Sequence, residues 1–162
     1  GAHSPIMRTH PQPDPAVERR AWGYSLPYSE YMRAAFARRA RLVPLIYTSL
    51  HEFEATGVSP LHPVYYDAPE AAGAYDHLDT YIYCDDLLVA PVTAPQHNTT
   101  QLAERKLWLP PGAWVDTVSG TEITSNDGVE ITRSYVHSTC SFGINFLHKT
   151  CSLLHFARTV VT

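Results

Sequence analysis

The chain has 162 residues, enough to bury a core as one domain, and its 44% hydrophobic and 17% charged content is that of a globular protein. No apolar run is long enough to span a bilayer. A formal net charge of -4, with the few Lys and Arg forming no basic stripe, leaves no electrostatic footprint for nucleic acid.

The first segment, Pro5-Ile6-Met7-Arg8-Thr9-His10, is a short apolar run that ends in a guanidinium, a hydroxyl and an imidazole. It reads as a buried strand delivering polar groups to a loop-lined face, because the irregular stretch that follows carries Pro11, Pro13 and Pro15. The chain opens on Gly inside this segment, with no polar leader, so its start reads as a cut. Residues 28–54 then show helical spacing, with Met32, Phe36, Ala40, Val43, Tyr47, Leu50 and Phe53 on one stripe. That stripe is expected to face a core. Pro44 removes a donor in mid-pattern, so a kink or two successive helices are expected, and Gly57 supplies the C-terminal cap.

Residues 58–67 read as a second strand, and strand, long helix, strand is the pattern of a parallel crossover. Asp67 and Glu70 lie beyond it. They are expected to be solvated or to cap a short helix, although in a barrel Asp67 would share a face with Arg8 and His10. Asp85 and Asp86 are not expected to form a catalytic pair, since neighbours on a strand point to opposite faces. They read as a turn opening a buried strand over residues 87–92. Trp108 and Trp114 flank Pro110-Pro111-Gly112, which reads as a hairpin with both indoles in the core, and a further turn follows at Val118-Ser119-Gly120. The architecture therefore changes near Ala90, from α/β to an all-β sandwich.

From residue 131 to the end there is no Asp or Glu, while Cys140, Cys151, His137, His148 and His155 are scattered there. No element template fits this tail, and a translated intron or shifted reading frame would account for it. Its Cys and His, with Cys84, lack the paired spacing of zinc sites or of a disulfide framework. No metal or other cofactor is expected.

Several of these segments together resemble glycoside hydrolase family 31, the α-glucosidase family. They are Met7-Arg8-Thr9-His10, Arg20-Ala21-Trp22-Gly23-Tyr24, Arg41-Leu42-Val43-Pro44 with Ile46-Tyr47, the run from Tyr81 to Val92, and the run from Trp108 to Asp116, all in the family's order. The resemblance covers Pro5 to about Tyr135. It implies the C-terminal part of a (β/α)8 TIM barrel over 1–88, an incomplete β-sandwich over 89–135, and an aberrant or unstructured tail over 136–162. A complete barrel needs ~250 residues.

The resemblance further implies a retaining glycosidase acting on an α-glucoside or oligosaccharide substrate. Such chemistry uses two carboxyl groups roughly 5 Å apart, one ionised and one protonated. The family's Trp-x-Asp-Met and Gly-Asp-Asn type motifs that carry them do not occur here, so this chain is expected to be an inactive fragment. His10 matches the family histidine that contacts sugar hydroxyls, and Arg8 a neighbouring arginine that organises carboxylates. These two are the candidate substrate-binding residues, with no catalytic residue. A noncatalytic carbohydrate-binding or accessory protein using the same face is the alternative. Cys84 stands where the family usually has Gly, Leu45 where it often has an aromatic, and the family's pattern stops after Tyr135. In isolation such a piece is expected to expose its helical stripe and the edge of its first strand, and to aggregate.

Overall fold

The computed structural model describes residues 1–10, 13, 14, 16, 17, 19–136 and 144–148, of which 135, 136 and 144–148 are described through their backbone. Residues 1–10 contain no regular element, so the strand expected at the start does not form. Each carbonyl of its first six residues lies within 3.5 Å of a side-chain donor.

Two helices follow, α1 (Tyr28–Arg41) and α2 (Val43–Thr56), joined through Leu42. The break lies where Pro44 demands it, since proline is tolerated in the first turn of a helix and not in its interior. Gly57 ends α2 at φ 73°, its N–H donating to the Phe53 carbonyl. Glu30 in the first turn of α1 and Arg38, Arg39 and Arg41 in its last suit the helix dipole. The apolar stripe does not face a core among the described residues. Phe36, Val43, Tyr47, Leu50 and Phe53 are exposed, Tyr47 at 72%, and α2 buries Ile46 and Ser49 instead.

The strands form a six-stranded and a two-stranded sheet. They are β1 (Leu61–Pro63), β2 (Tyr81–Tyr83), β3 (Leu87–Ala90), β4 (Leu102–Leu109), β5 (Gly112–Asp116), β6 (Glu122–Ser125), β7 (Val129–Val136) and β8 (Ile144–His148). The larger sheet runs β1-β2-β3-β8-β5-β6, and β4 pairs with β7. β1 pairs antiparallel with β2, Leu61 opposite Tyr83, so the expected parallel crossover is absent. The expected hairpin at Pro110-Pro111-Gly112 is absent too: β4 pairs with β7 while β5 pairs with β6 and β8, so this turn carries the chain from one sheet to the other. The turn before β6 does close a hairpin, with Trp114 opposite Ile123.

Sheet alternation explains why β2 and β3 are apolar throughout. Ile82, Leu88 and Ala90 point toward β4, where they pack with Leu107, Trp108 and Leu109. Tyr83, Leu87 and Val89 point the other way, onto Ile46 of α2. A strand covered on both faces has no position for a polar side chain. Truncating fully buried Leu88 to alanine would cost about 2–5 kcal/mol. Trp108 and Trp114 are both buried, as expected. The Trp108 ring lies between Gly73, in the short helix α3 (Gly73–Asp76), and Gly128, and a Cβ on either glycine would enter the indole.

A polar tie also links the sheets. Buried Asp116 of β5 accepts hydrogen bonds from the backbone N–H groups of Val118 (2.9 Å) and Ser119 (3.3 Å). Its other oxygen lies 3.6 Å from Nε of Arg133 on β7.

The boundary expected at 88/89 falls inside β3, and the sheet it interrupts begins at Leu61. The expected aberrant tail contributes β8, which lies between β3 and β5. Cys140, Cys151, His137 and His155 lie outside the described residues.

Candidate functional site

Arg8 and His10 stand together on the surface: Nη2 of Arg8 lies 2.7 Å from Nδ1 of His10, and both residues are exposed. A guanidinium can only donate, so Nδ1 accepts and the imidazole proton is on Nε2. That leaves one imidazole N–H and the rest of the guanidinium as outward donors, a set suited to hydroxyl oxygens or to a carboxylate.

A second polar region lies in a cleft of about 650 Å³ whose walls include Asp67, Glu70, Asp85, Asp86 and Trp114. Neither Arg8 nor His10 lines it, so this cleft does not bring Asp67 together with them. His62, buried on β1, has Nδ1 2.9 Å from the Ser59 carbonyl and Nε2 3.2 Å from Asp67 Oδ2. The hydrogen bond to Asp67 is the chief reason that its pKa is raised, against the opposing effect of burial. Asp85 has a raised pKa as well, through desolvation first and the neighbouring carboxylates Glu52, Asp67 and Asp86 after it, with His62 opposing. Asp67 serves this imidazole rather than capping α3, where no side-chain cap bond forms.

Asp85 and Asp86 do form the expected turn into β3. Both line the cleft, because they sit in a turn and not on a strand, where they would have diverged. Cys84 and Asp85 take φ of 53° and 60°, so Cys84 occupies a conformation that favours glycine. Buried among Ile46, Tyr83 and Leu87, its thiol is pushed up to about 11 by that burial. Among the described residues, no group of three His, Cys, Asp or Glu is arranged to hold a metal ion, and no helix is long and apolar enough to cross a membrane.

Sequence reasoning missed His62 and Arg39. His62 sits between Leu61 and Pro63 at a position where strand alternation would have placed it inward, and Asp67 was available as its partner. Arg39 left no such trace, since its partners are backbone carbonyls and the distant Tyr83 hydroxyl.

Comparison with known proteins joins these parts. The glycosyl hydrolase family 31 C-terminal domain matches residues 57–152, and the glycosyl hydrolases family 31 TIM-barrel domain matches residues 1–49. Their junction precedes the expected boundary at 88/89, and the C-terminal match continues through β8. Neutral alpha-glucosidase AB of Dictyostelium discoideum is 31% identical over 102 residues, covering 63% of this chain and 11% of that protein. Alpha-glucosidase 2 of Bacillus thermoamyloliquefaciens is 26% identical over 123 residues, 74% of this chain and 14% of that one. Among solved structures, the cycloalternan-forming enzyme of Listeria monocytogenes in complex with a pentasaccharide substrate superposes with a TM-score of 0.75 at 26% identity, over 91% of this chain and 14% of its own. A family 31 alpha-xylosidase from a soil metagenome, complexed with xylose, gives 0.72 at 25% identity, over 85% and 19%. The chain therefore spans a small part of each relative's length, with a barrel-derived part followed by a β-sandwich fragment. With one family domain matched over more than half of its residues and the other directly before it, this chain belongs to glycoside hydrolase family 31.

Proposed function

We propose that the chain is part of a retaining α-glucosidase-type hydrolase of terminal α-linked glucosides, that Arg8 and His10 contact the sugar, and that residues 1–162 alone do not hydrolyse it. The observation that supports this most is the pairing of Arg8 with His10 at 2.7 Å, within residues 1–49, which match the family's barrel. An imidazole N–H held by a neighbouring guanidinium is oriented before the sugar arrives, so little ordering cost falls on binding. Both carboxylate motifs implied by the family resemblance are absent from the sequence. The acidic cleft is no substitute, since neither Arg8 nor His10 lines it.

The test is a titration of the 162-residue chain with methyl α-glucoside, followed by NMR, with an assay for release of 4-nitrophenol from its α-glucoside. Binding that is weakened about tenfold by His10→Ala and by Arg8→Ala, with no hydrolysis, supports the proposal. Binding indifferent to both substitutions would remove the sugar-contact assignment. Turnover by the chain alone would overturn its inactivity.

A further inference from the structure

Each backbone carbonyl from Gly1 to Ile6 lies within 3.5 Å of a side-chain donor. Ser4 Oγ reaches the Gly1 and Ile6 carbonyls at 2.9 and 2.7 Å and can donate to one of them at a time. The four carbonyls between them belong to one cluster. Arg39 Nη1 donates to Ser4 O and lies 3.5 Å from Ala2 O, while Nη2 donates to Pro5 O at 2.7 Å. Tyr81 Oη donates to His3 O at 2.8 Å. Tyr83 Oη accepts from Arg39 Nη1 at 2.7 Å and donates to Ser4 O at 3.0 Å. Burial pushes the Tyr83 phenol up to about 12, which keeps the proton that it donates.

This cluster explains how a segment with no sheet partner holds one conformation. Ala2 and His3 are buried, and buried carbonyls must find donors. A guanidinium is a rigid planar fork, so bonds from Nη1 and Nη2 to successive carbonyls fix direction as well as distance. Arg39 stands in the last turn of α1 and the two tyrosines on β2, so the segment is referred to two elements at once. From Pro5 to Arg8 the chain can reach at most ~11 Å, too short to lose that reference.

We propose that Arg39, acting with Tyr81 and Tyr83 on the carbonyls of residues 2–5, is a positioning residue that sets where Arg8 and His10 stand. It touches no sugar itself. Its effect on His10 geometry is independent of the proposed function, and its effect on sugar affinity rests on that reading. Tyr83→Phe removes one oxygen from the cluster. Arg39→Lys keeps the charge but replaces the fork by a single ammonium.

The experiment uses the 162-residue chain, with the ¹⁵N signals of the His10 imidazole and a methyl α-glucoside titration as readouts. In both variants the His10 signals should move toward those of a freely exchanging imidazole, as the accepting Nδ1 loses Arg8, and methyl α-glucoside should bind about tenfold more weakly. Backbone amide signals of β4 and β7 should stay in place. Unchanged His10 signals in the two variants would overturn the proposal. So would signals that change only together with collapse of the β4 and β7 amides, which marks a purely structural role. If Arg39→Lys does not fold, Tyr83→Phe decides. If the unsubstituted chain does not bind methyl α-glucoside, the proposed function fails and the His10 signals alone judge the positioning role.

Discussion

Replacing Gly128 by alanine tests whether the sandwich is held by the close approach of backbone to the Trp108 ring. Gly128 has φ 90°, and a Cβ there would lie inside the indole, 2.5 Å from Cε2. Two costs are separable. An L-residue at positive φ costs ~1–2 kcal/mol. Displacing a ring in a dense core costs ~1–3 kcal/mol more. The ring cannot slide away freely, since a Cβ on Gly73 would also lie 2.5 Å from Nε1. The expected loss is therefore ~2–5 kcal/mol, read from urea unfolding followed by far-UV circular dichroism. In a Trp108→Leu background the ring is gone, and Gly128→Ala should cost only the backbone share, ~1–2 kcal/mol. The double-mutant cycle should thus show a coupling of ~1–3 kcal/mol. Additivity to within ~0.5 kcal/mol would refute the role of the ring contact.

The His62–Asp67 pair makes stability depend on pH. Because the folded-state pKa of His62 is raised above its ordinary 6.5, its contribution is fully present below that value and is lost as pH rises through the folded pKa. Urea midpoints across neutral pH should fall accordingly, and Asp67→Asn should flatten the fall. At position 84 glycine should be more stable than alanine by ~1 kcal/mol, the reverse of their usual order, because φ is 53°; equal urea midpoints would contradict this. Arg8→Ala and His10→Ala should each leave stability within ~0.5 kcal/mol, since both side chains are exposed, and a larger loss would show that they hold the fold. The exposed stripe on α1 and α2 should drive concentration-dependent association in light scattering, which Tyr47→Glu with Phe53→Lys should suppress; identical scattering would clear the stripe.

What the sequence made legible was local or symmetric. The helix break at Pro44 and the cap at Gly57 depend on residues within one turn, and both stand where expected. The run Leu87–Ala90 announces a strand covered on both faces, because no other environment suits four consecutive buried apolar residues. Partner choice was not legible. Pro110-Pro111-Gly112 has the composition of a hairpin turn, yet β4 gains more by an eight-residue ladder with β7 than a short pairing with β5 could supply. β8 was missed because its sequence shows no alternation of apolar and charged residues, and its pairing with β3 and β5 spans long stretches of chain. For the candidate site, Arg8 and His10 were legible through the family resemblance, while their contact with each other at 2.7 Å was not expected. The cluster around Arg39 was not legible either, because carbonyl acceptors belong to every residue and leave no mark in the side chains.

The place of β8 has a consequence for synthesis. Ribosomes make proteins from the amino end, so β1-β2-β3 and β5-β6 precede the strand that lies between them, and the facing edges of β3 and β5 wait for it. Among the described residues, 144–148 join them, supplying Asn145 opposite Val89 on one side and Leu147 opposite Val115 on the other. A chain cut short before residue 144 would leave those two edges open in addition to the outer edges of β1 and β6, and open edges recruit strands from other molecules. Loss of residues 144–148 should therefore be more damaging than their distance in sequence from Arg8 and His10 suggests.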